Sequence, residues 1–328
     1  LGPCWVSTGY YIRCDHSMVA GSYFYIKNLY KKITMKRKFA ATIGNFDGIH
    51  MGHQDLISNL MEAAKKNNLD TKVITFNPYP FEFFQWNKKR ILSEFDKKNI
   101  LGNLKVDVLQ SIDFNEKFRS QTAEEFFLNY LVNEDVQYLI VGKDFKFGKD
   151  RLGDLDLLSK LCKEYQIELN VLDDFESNGV KISSTLIREQ LQKSEFKEAS
   201  KLLGRPYKIS GDVIKGKSLG RRISTPTANI NIDNVDFCFS GVFLGKTLID
   251  KQHYFCIVNF GPKPTFDDYR QSLEAHILEF DGNIYDRALA VEFLCKIRDQ
   301  VKFNSVEELK IQIDDDKKKA MELIKNYG

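Results

Sequence analysis

The sequence predicts two domains: an α/β domain with a parallel sheet, followed by a small antiparallel β-barrel or sandwich that closes with a helix. Its length, 328 residues, is that of about two domains. In the first part, apolar strand-like runs alternate with helical patterns, which is typical of a parallel sheet. After residue 204, short strand-like runs separated by turns follow one another, which favours an antiparallel barrel or sandwich.

The composition excludes several classes of protein. Hydrophobic residues make up 43% of the chain and charged residues 28%, so it has enough apolar side chains for a core and is not a disordered protein. The formal net charge is +3, too small to indicate a nucleic-acid partner. No apolar run approaches the roughly 18 residues of a membrane span, so we expect no membrane partner. The six cysteines form no C-x-x-C pair, and we expect reduced thiols and a cytoplasmic protein.

The residue pattern of the chain changes at two places. Residues 1–34 show no clean periodicity and precede Met35, so we interpret them as an extension of unknown role. A second change comes at Gly204, where longer helical patterns give way to short alternating runs. We therefore predict a first domain over 35–203 and a second domain over 204–328.

Short apolar runs and turn residues define the elements of the first domain. Strands are predicted over 39–43, 73–76 and 138–141,. A helix is predicted after the first strand, because apolar residues there repeat at helical spacing, and another over 185–203. Parallel sheets bind ligands at the carboxyl ends of their strands. We therefore expect the chemistry in the turns that follow the three strands.

A glycine-rich turn with two histidines follows the first strand. The run G-N-F-D-G-I-H-M-G-H over 44–53 places Gly48, His50, Gly52 and His53 between a strand and a helix. Backbone N–H groups at a helix N-terminus bind anions, glycines let phosphate oxygens approach the backbone, and histidines donate hydrogen bonds to them. We therefore predict a phosphate site. A helix-start loop with two structural histidines is the plainer alternative, and zinc would need further ligands that do not stand nearby.

Two further segments of the first domain have residue types that suit a nucleotide. The run I-S-S-T-L-I-R over 182–188 begins a helix with three hydroxyls and Arg188. N-capping accounts for part of this pattern, and the remaining hydroxyls and the guanidinium suit a polyphosphate. The run V-G-K-D-F-K-F-G over 141–148 holds Phe145 and Phe147. These two rings fit either the wall of a flat-ring pocket or the core.

The second domain is predicted from turns and alternation. Strands are expected over 209–213, 241–244, 253–258, 274–280 and 289–294,. An S-x-x-E capping box at 305–308 predicts the start of the closing helix,.

Two polar motifs stand out in the second domain. Thr227 and Asn229 of P-T-A-N offer oxygen ligands of the kind that Mg²⁺ prefers, although a polar turn also explains them,. In the strand over 274–280, period two places Glu274 and His276 with apolar residues, so we expect them on the core side,. Glu274 suits the acceptor of a hydroxyl proton, and an edge salt bridge is its alternative.

Together these motifs resemble the prokaryotic bifunctional riboflavin kinase/FMN adenylyltransferase (FAD synthetase) family. The N-terminal module of that family is matched by G-N-F-D-G-I-H-M-G-H, T-F-N-P-Y-P, V-G-K-D-F-K-F-G and I-S-S-T-L-I-R. Its riboflavin kinase module is matched by G-R-P-Y, P-T-A-N, N-F-G-P-K-P-T-F and E-A-H-I-L-E-F. The resemblance implies a Rossmann-like nucleotidyltransferase domain over 35–203 and a riboflavin kinase barrel over 204–328. It further implies that ATP and Mg²⁺ convert riboflavin to FMN, and that a second ATP converts FMN to FAD and pyrophosphate.

The resemblance also implies which residues carry the chemistry. Catalytic roles fall to His50, His53 and Glu274. The phosphate and nucleotide site of the adenylyltransferase comprises Gly44, Phe46, Asp47, Gly48, Gly52, Ser184, Thr185 and Arg188. The flavin or nucleotide pocket includes Asn77, Pro78, Asp144, Phe145 and Phe147, and the Mg²⁺ ligands are Thr227 and Asn229.

The sequence departs from the family pattern at four positions. Tyr79 stands where the family usually has His, and Ser224, Thr225 and Asp286 replace a Gly, an aromatic residue and a second Gly in the kinase module. The three departures in the kinase module leave open an FMN adenylyltransferase whose kinase module is inactive. A nucleic-acid-binding barrel is an alternative of another class, and it would require a basic stripe with interleaved aromatics.

Overall fold

The computed structural model describes residues 37–177, 179–214, 227–233, 235–263, 268–285 and 287–327. The extension predicted over 1–34 lies outside these residues, as do Ser224, Thr225 and Asp286. Within the described residues, no helix combines the length and the apolar character that crossing a membrane requires. The cysteines of this part of the chain are free thiols: Cys162, Cys238, Cys256 and Cys295.

A five-stranded parallel sheet organises the N-terminal domain. Its strands are β1 (Phe39–Ile43), β2 (Asp70–Phe76), β3 (Val108–Ile112), β4 (Val136–Gly142) and β5 (Glu168–Leu172). The spatial order is β3-β2-β1-β4-β5, so the chain adds strands first on one side of β1 and then on the other. This reversal opens a crevice at the carboxyl ends of β1 and β4, where sheets of this kind bind ligands.

The central strands of this sheet are the ones that the sequence predicts. β1 is buried at every position, and β2 and β4 are largely buried. The edge strands β3 and β5 were not predicted. Most of their residues are half-buried or exposed, so neither strand has the continuous apolar run by which a buried strand is recognised.

Eight α-helices are described in the N-terminal domain, besides a 3₁₀ helix over Lys149–Arg151. They are α1 (Met51–Asn67), α2 (Pro80–Phe83), α3 (Glu94–Asn103), α4 (Glu116–Arg119), α5 (Ala123–Phe127), which continues as a π-helical turn (Leu128–Val132), α6 (Leu155–Glu164), α7 (Ser184–Gln192) and α8 (Phe196–Leu203). The single helix predicted over 185–203 is wrong. Ser194 adopts a left-handed φ of 61°, which ends α7 and lets α8 start in a new direction.

Six antiparallel strands close the C-terminal domain into a barrel. They are β8 (Lys208–Ile214), β9 (Ala228–Ile230), β10 (Gly241–Ile249), β11 (Gln252–Lys263), β12 (Asp268–Ile277) and β13 (Ala288–Arg298). The closed order is β10-β11-β12-β9-β8-β13, so the barrel is the correct choice between the two predicted architectures. A two-residue-per-strand hairpin, β6 (Glu176–Ser177) and β7 (Val180–Lys181), precedes α7.

The prediction that Glu274 and His276 lie on the core side of their strand is wrong. β12 ends at Ile277, and its buried residues are Leu273, Ala275 and Ile277. Glu274 and His276 alternate with these and therefore lie on the outer face of the barrel. The prediction took Leu278 and Phe280 as part of the strand, but they follow it in a turn where Glu279 has a φ of 56°.

The closing helix α9 (Val306–Ile324) packs on the outside of the barrel. It begins where the capping box predicts, with Ser305 Oγ accepting from the Glu308 N–H at 3.1 Å. Arg298 at the end of β13 donates two hydrogen bonds to Asp316 of α9, both 2.8 Å long. A bidentate, partly buried pair of this kind fixes the orientation of the helix as well as its position.

The two domains contact each other beside the predicted phosphate turn. Phe196 of α8 packs against Tyr207 and Phe293 of the barrel, with ring centroids 6.2 and 5.5 Å apart. The Tyr207 hydroxyl donates to the Ile91 carbonyl of the N-terminal domain at 2.9 Å. The first residues of the barrel domain therefore lie against the segment that precedes α3.

Candidate active site

The turn between β1 and α1 has an unusual backbone conformation. Phe46, Gly48 and Ile49 have φ values of 49°, 93° and 40°, in a region that glycine adopts readily and β-branched residues avoid. The Phe46 and Ile49 side chains are fully buried, and this burial holds the strained turn in place. Phe46 is thus a core residue and does not line a cavity with its side chain, while Gly48 provides the conformational freedom that was expected of it.

His50 and His53 lie together at the N-terminus of α1. His50 is the N-cap residue, and its Nδ1 accepts from the His53 backbone N–H at 3.3 Å. The two imidazole rings stack with centroids 3.7 Å apart and an interplanar angle of 18°. Gly52 makes room for this arrangement, since a Cβ there would lie 3.3 Å from the His50 ring and 3.2 Å from Phe175.

Both histidines are neutral at pH 7. Burial, and to a smaller extent the charge of Arg205, lowers the pKa of His50 to about 4. Burial also lowers the pKa of His53 well below its ordinary value, helped by His50, Arg205 and Lys97. Because Nδ1 of His50 accepts a hydrogen bond, its proton resides on Nε2, which is a donor. His53 Nδ1 is buried and has no hydrogen-bond partner among the described residues.

The start of α7 meets the β1–α1 turn from the other side. Ser183, not Ser184, caps the helix, with Oγ accepting from the Leu186 N–H at 3.3 Å. Ser184 Oγ instead donates to the Asp47 carbonyl at 2.7 Å, and the exposed Thr185 faces the cavity described below. The second hydroxyl therefore positions the turn, and the third is available to a ligand.

Arg188 is held at this junction by a buried carboxylate. Its Nη2 donates to Asp47, and its Nε donates to the Lys89 carbonyl at 2.8 Å. Asp47 also accepts from the backbone N–H groups of Ile91 and Leu92, at 3.0 and 3.2 Å. The Asp47 carboxylate is thus engaged on several sides, so it orients Arg188 and does not itself present an acceptor to a phosphate.

A cavity of about 680 Å³ joins these polar groups to an aromatic wall. Such a volume suits a nucleotide or a flavin. Many of the residues predicted from sequence meet in it: Gly44, Asp47, Asp144, Phe145, Phe147, Ser184, Thr185 and Arg188. The histidines, Gly48 and Gly52 lie at the adjoining N-terminus of α1 and are not part of its lining.

The aromatic wall contains several residues that are not predicted from the sequence. They are Phe76, Phe81, Phe84, Trp86, Phe114, Phe118 and Phe126. Phe84 and Trp86 stack with centroids 5.5 Å apart and are 40% and 53% exposed, whereas Phe145 stacks on the buried Phe147 at 5.5 Å. The density of aromatic residues over 81–86 was the available signal, but this run has neither strand nor helix periodicity.

Asn77 and Pro78 lie apart from the cavity. They line a neighbouring groove of about 690 Å³ between the α2–α3 segment and Asp233, Val235 and Asp236 of the barrel domain. The Asn77 side-chain oxygen accepts from Arg90 at 2.7 Å. Asp144 does line the cavity, yet its carboxylate is exposed and paired with Lys181 at 2.8 Å.

A second polar constellation lies on the outer face of the barrel. Glu274 of β12 is directly opposite Asn229 of β9 on one side and Asn259 of β11 on the other. Side chains that are opposite each other across a sheet lie on the same face. Asn259 accepts from Gln300 Nε2 at 2.9 Å. Asn259 and Gln300 were not predicted, because the strand register brings Asn259 to Glu274 and the tertiary fold brings Gln300 to Asn259.

Thr227 and Asn229 carry side-chain oxygens that can bind a metal ion beside Glu274. They stand two positions apart, and Ala228 and Ile230, which alternate with Asn229, are buried in the barrel. A hydroxyl and an amide oxygen beside a carboxylate fit Mg²⁺, which takes few protein ligands and completes its shell with phosphate and water oxygens. Among the described residues, no group of three or more His, Cys, Asp or Glu side chains forms a metal site.

Two family models match the chain, FAD synthetase over residues 32–186 and riboflavin kinase over residues 203–324. Three similar proteins are named bifunctional riboflavin kinase/FMN adenylyltransferase. The one from Buchnera aphidicola (Schizaphis graminum) is 36% identical over 310 residues, 92% of this chain and 98% of the relative. Those from Haemophilus influenzae and Escherichia coli K12 are 37% and 38% identical and cover 89% and 86% of this chain, and 96% and 91% of their own lengths.

The chain belongs to the bifunctional riboflavin kinase/FMN adenylyltransferase family. A solved structure named a macrolide-efflux protein, from Streptococcus pneumoniae, has the same fold, with a TM-score of 0.68 and 33% identity over 87% of this chain and 94% of its own.

Membership of the bifunctional riboflavin kinase/FMN adenylyltransferase family confirms the predicted family and fold class. The parallel sheet lies within the FAD synthetase match and the barrel within the riboflavin kinase match. Neither the inactive-kinase alternative nor the nucleic-acid-binding alternative is favoured by these relatives.

Proposed function

We propose that the two domains catalyse successive reactions at the two constellations described above. The barrel domain, 204–328, phosphorylates riboflavin to FMN with ATP. The parallel-sheet domain, 35–203, transfers the adenylyl group of a second ATP to FMN, which gives FAD and pyrophosphate. The observation that carries this proposal is the cavity that connects Arg188 and the β1–α1 turn to a wall of aromatic rings. Adenylyl transfer to FMN requires a polyphosphate and a flavin side by side, and this cavity offers a place for each.

The adenylyltransferase site acts by position and charge. An oxygen of the FMN phosphate attacks the α-phosphorus of ATP, the bond from that phosphorus to the β-bridging oxygen breaks, and pyrophosphate leaves. No protein nucleophile is needed, so the side chains orient the phosphates and stabilise their charge. The N–H groups of α1 and the imidazoles of His50 and His53 suit this role, and Arg188 offers its guanidinium from the opposite side.

The aromatic end of the cavity suits the flavin ring. Phe145 and Phe147 form a stacked pair at one wall, and Phe84 and Trp86 form another at the mouth. Offset stacking on aromatic faces is favourable for a flat, polarizable ring and tolerates its polar edges. We assign Phe84 and Trp86 to flavin binding together with the two residues expected from sequence.

The kinase site uses the row on the outer face of the barrel. Glu274 accepts the proton of the riboflavin 5′-hydroxyl as its oxygen attacks the γ-phosphorus of ATP, and ADP leaves. Thr227 and Asn229 would hold Mg²⁺, which neutralises phosphate charge when bound. Asn259, fixed by Gln300, lies beside the base and keeps this part of the row polar.

Product analysis tests both assignments in one experiment. The purified chain is incubated with ATP, Mg²⁺ and either riboflavin or FMN, and the flavins are separated by chromatography. We expect FAD from both substrates. FAD from FMN alone would contradict the kinase assignment, and no FMN or FAD from folded protein would contradict the proposed function as a whole.

Matched variants separate the two sites. His53→Ala is expected to stop the riboflavin reaction at FMN, and Glu274→Gln is expected to slow FMN formation strongly while FAD still forms from supplied FMN at the normal rate. His253→Ala is the control, because His253 is exposed on β11, away from both constellations. A His53→Ala protein that makes FAD at the rate of the His253→Ala protein would contradict the assignment of the phosphate turn.

A further inference from the structure

Arg205 reaches from the first residues of the barrel domain to the turn that precedes His50. Its Nη2 donates to the Gly48 carbonyl at 2.6 Å, and its Nη1 donates to the Ile49 carbonyl at 2.8 Å. Nη1 also contacts the Leu203 carbonyl at 3.2 Å. The guanidinium therefore bridges the end of α8 and the β1–α1 turn, with one nitrogen on each of two successive carbonyls of that turn.

This turn requires restraint from outside its own backbone. Gly48 and Ile49 both have left-handed φ values, and such a conformation persists at a β-branched residue only where the surroundings impose it. Gln54 of α1 supports the same turn, since its Nε2 donates to the Ile49 carbonyl at 2.8 Å and to the Leu203 carbonyl at 2.7 Å. Arg205 extends this support to Gly48, so the orientation of the residues just before His50 depends on a side chain of the barrel domain.

Arg205 also places a positive charge beside the phosphate turn. Its three acceptors are neutral carbonyl oxygens, and within the described residues no carboxylate forms a salt bridge with it, although Asp96 attracts it from farther away. Such a charge adds to the positive end of the α1 dipole and raises the potential that an incoming phosphate experiences. Burial is the main cause of the low pKa of His50, and the charge of Arg205 is the second cause.

We propose that Arg205 is a positioning residue of the adenylyltransferase site that is supplied by the riboflavin kinase module. It holds the Gly48–Ile49 turn so that His50 and His53 meet the phosphates of ATP. The FAD synthetase match ends at residue 186, and Arg205 lies within the riboflavin kinase match over 203–324. A residue of the riboflavin kinase module thus completes the active site of the adenylyltransferase module. This inference rests on the proposed adenylyl transfer.

Two substitutions separate the geometry of Arg205 from its charge. Arg205→Gln removes the charge and the fork, and Arg205→Lys keeps the charge but cannot bond both carbonyls in the same geometry. We expect Arg205→Gln to lower the kcat of FAD formation from FMN by about 10- to 100-fold, with a smaller change in the KM for FMN. The kcat of Arg205→Lys should lie between the values for Arg205→Gln and the wild type. The rate of riboflavin phosphorylation should stay unchanged in both, which also reports that the chain is folded.

Lys208→Gln is the matched control. Lys208 lies three residues further along the chain and pairs with Glu292 of the barrel at 3.2 Å, so its loss removes a nearby cation that does not touch the turn. We expect both activities of this variant to equal those of the wild type.

The titration of His50, followed by NMR of the histidine side chains in the intact chain, gives a readout that a purely structural role would not move. The charged groups that act on this pair are Arg205 and, for His53, also Lys97. Arg205→Gln should raise the pKa of His50, whereas Arg205→Lys and Lys208→Gln should leave it near the wild-type value.

The outcomes distinguish this inference from the function on which it rests. Wild type that forms no FAD would contradict the proposed function. Wild type that forms FAD, with Arg205→Gln unchanged in kcat and in the pKa of His50, would overturn the role of Arg205 alone. If Arg205→Gln loses kinase activity as well, Arg205→Lys decides between the outcomes. An Arg205→Lys protein that forms FAD at the wild-type rate overturns the proposal. An Arg205→Lys protein that loses FAD formation but keeps its kinase activity supports it.

Discussion

The imidazole rings of His50 and His53 stack with their centroids 3.7 Å apart, one at the N-cap of α1 and the other in its first turn. Burial is the main cause that keeps both imidazoles neutral in the free enzyme, and nearby positive charge adds to it. A bound triphosphate reverses this balance, because its negative charge favours N–H donors and protonation alike. Under the proposed function this pair meets the phosphates of ATP, and its effect on stability can be measured separately from its effect on catalysis.

Replacing His50 by Asn tests the chemical role of the pair. Asparagine is a good N-cap residue, so its side-chain oxygen can take over the acceptor role that Nδ1 plays towards the His53 N–H. The imidazole donor is lost. We expect FAD formation from FMN to fall about 100-fold or more, with the riboflavin kinase rate unchanged, as measured by chromatography of the flavins. Wild-type FAD formation would show that His50 is a helix cap and nothing more.

The pH dependence of stability tests the neutral state of His50. Its pKa is about 4 in the folded chain against 6.5 for an ordinary histidine. Between these values the unfolded chain binds the proton and the folded chain does not, so the free energy of unfolding decreases as the pH falls through this window. The contribution of His50 is about 3 kcal/mol between pH 7 and pH 4.

Urea unfolding of the wild type and of His50→Asn at both ends of this window gives the measurement. On acidification from pH 7 to pH 4, the free energy of unfolding of His50→Asn should decrease by about 3 kcal/mol less than that of the wild type. His253→Ala, which removes an exposed histidine, should follow the wild type. Equal losses in wild type and His50→Asn would mean that His50 is protonated in the folded chain.

Local patterns made the phosphate turn predictable from sequence. Gly48, His50 and His53 belong to a strand–turn–helix unit whose parts are contiguous in the chain, and Ser184 and Arg188 start a helix of their own. Local rules for strands, caps and glycine turns therefore place them correctly. The same rules could not show that Asp47 binds Arg188, because these residues meet only through the tertiary fold.

Residues that meet through strand order or register could not be predicted in this way. Phe114 follows β3 and Phe76 ends β2, so they share a wall of the cavity because β3 is the neighbour of β2. Likewise, Asn259 faces Glu274 because of the register between β11 and β12. A shift of one residue would move each side chain to the other face of the sheet, and no single strand sequence specifies which partner it will have.

Glu274→Gln tests the proposed base of the kinase site. Glutamine has nearly the same shape as glutamate but cannot accept the hydroxyl proton, so we expect the kcat of riboflavin phosphorylation to fall by about 10²- to 10⁴-fold. FAD formation from supplied FMN should be unaffected. Glu292→Gln is the control, since Glu292 is another partly buried carboxylate of the barrel wall and pairs with Lys208. Equal kinase rates for the two variants would rule out Glu274 as the base.

Tyr79, one of the predicted departures from the family pattern, is fully buried and contacts two cationic side chains. Its ring lies between the guanidinium of Arg90 and the ammonium of Lys97, with centroid distances of 4.4 and 4.2 Å. Its hydroxyl is buried and has no partner in the described part of the chain. Tyr79→Phe keeps both cation–π contacts and removes an unsatisfied group, so the free energy of unfolding should rise by about 1 kcal/mol. Tyr79→Leu loses both contacts and should lower it by about 2 kcal/mol.

Urea unfolding of the three proteins at pH 7 decides between these expectations. A marked loss of stability in Tyr79→Phe would mean that the hydroxyl has a partner after all. Because the ring faces Arg90 and Lys97 and does not line the cavity, FAD formation by Tyr79→Phe should equal that of the wild type.

Trp86 tests the assignment of the aromatic mouth to the flavin. It is 53% exposed, so its truncation to Ala should change the free energy of unfolding by about 0.5 kcal/mol or less. A lost stacking contact weakens binding of FMN, and we expect the KM for FMN to rise about tenfold with little change in kcat. Leu248→Ala removes an apolar side chain of similar exposure, 55%, from the barrel and should leave this KM unchanged. Because riboflavin is phosphorylated at the other site, its KM should stay the same in both variants, and an unchanged KM for FMN in Trp86→Ala would place the flavin elsewhere in the cavity.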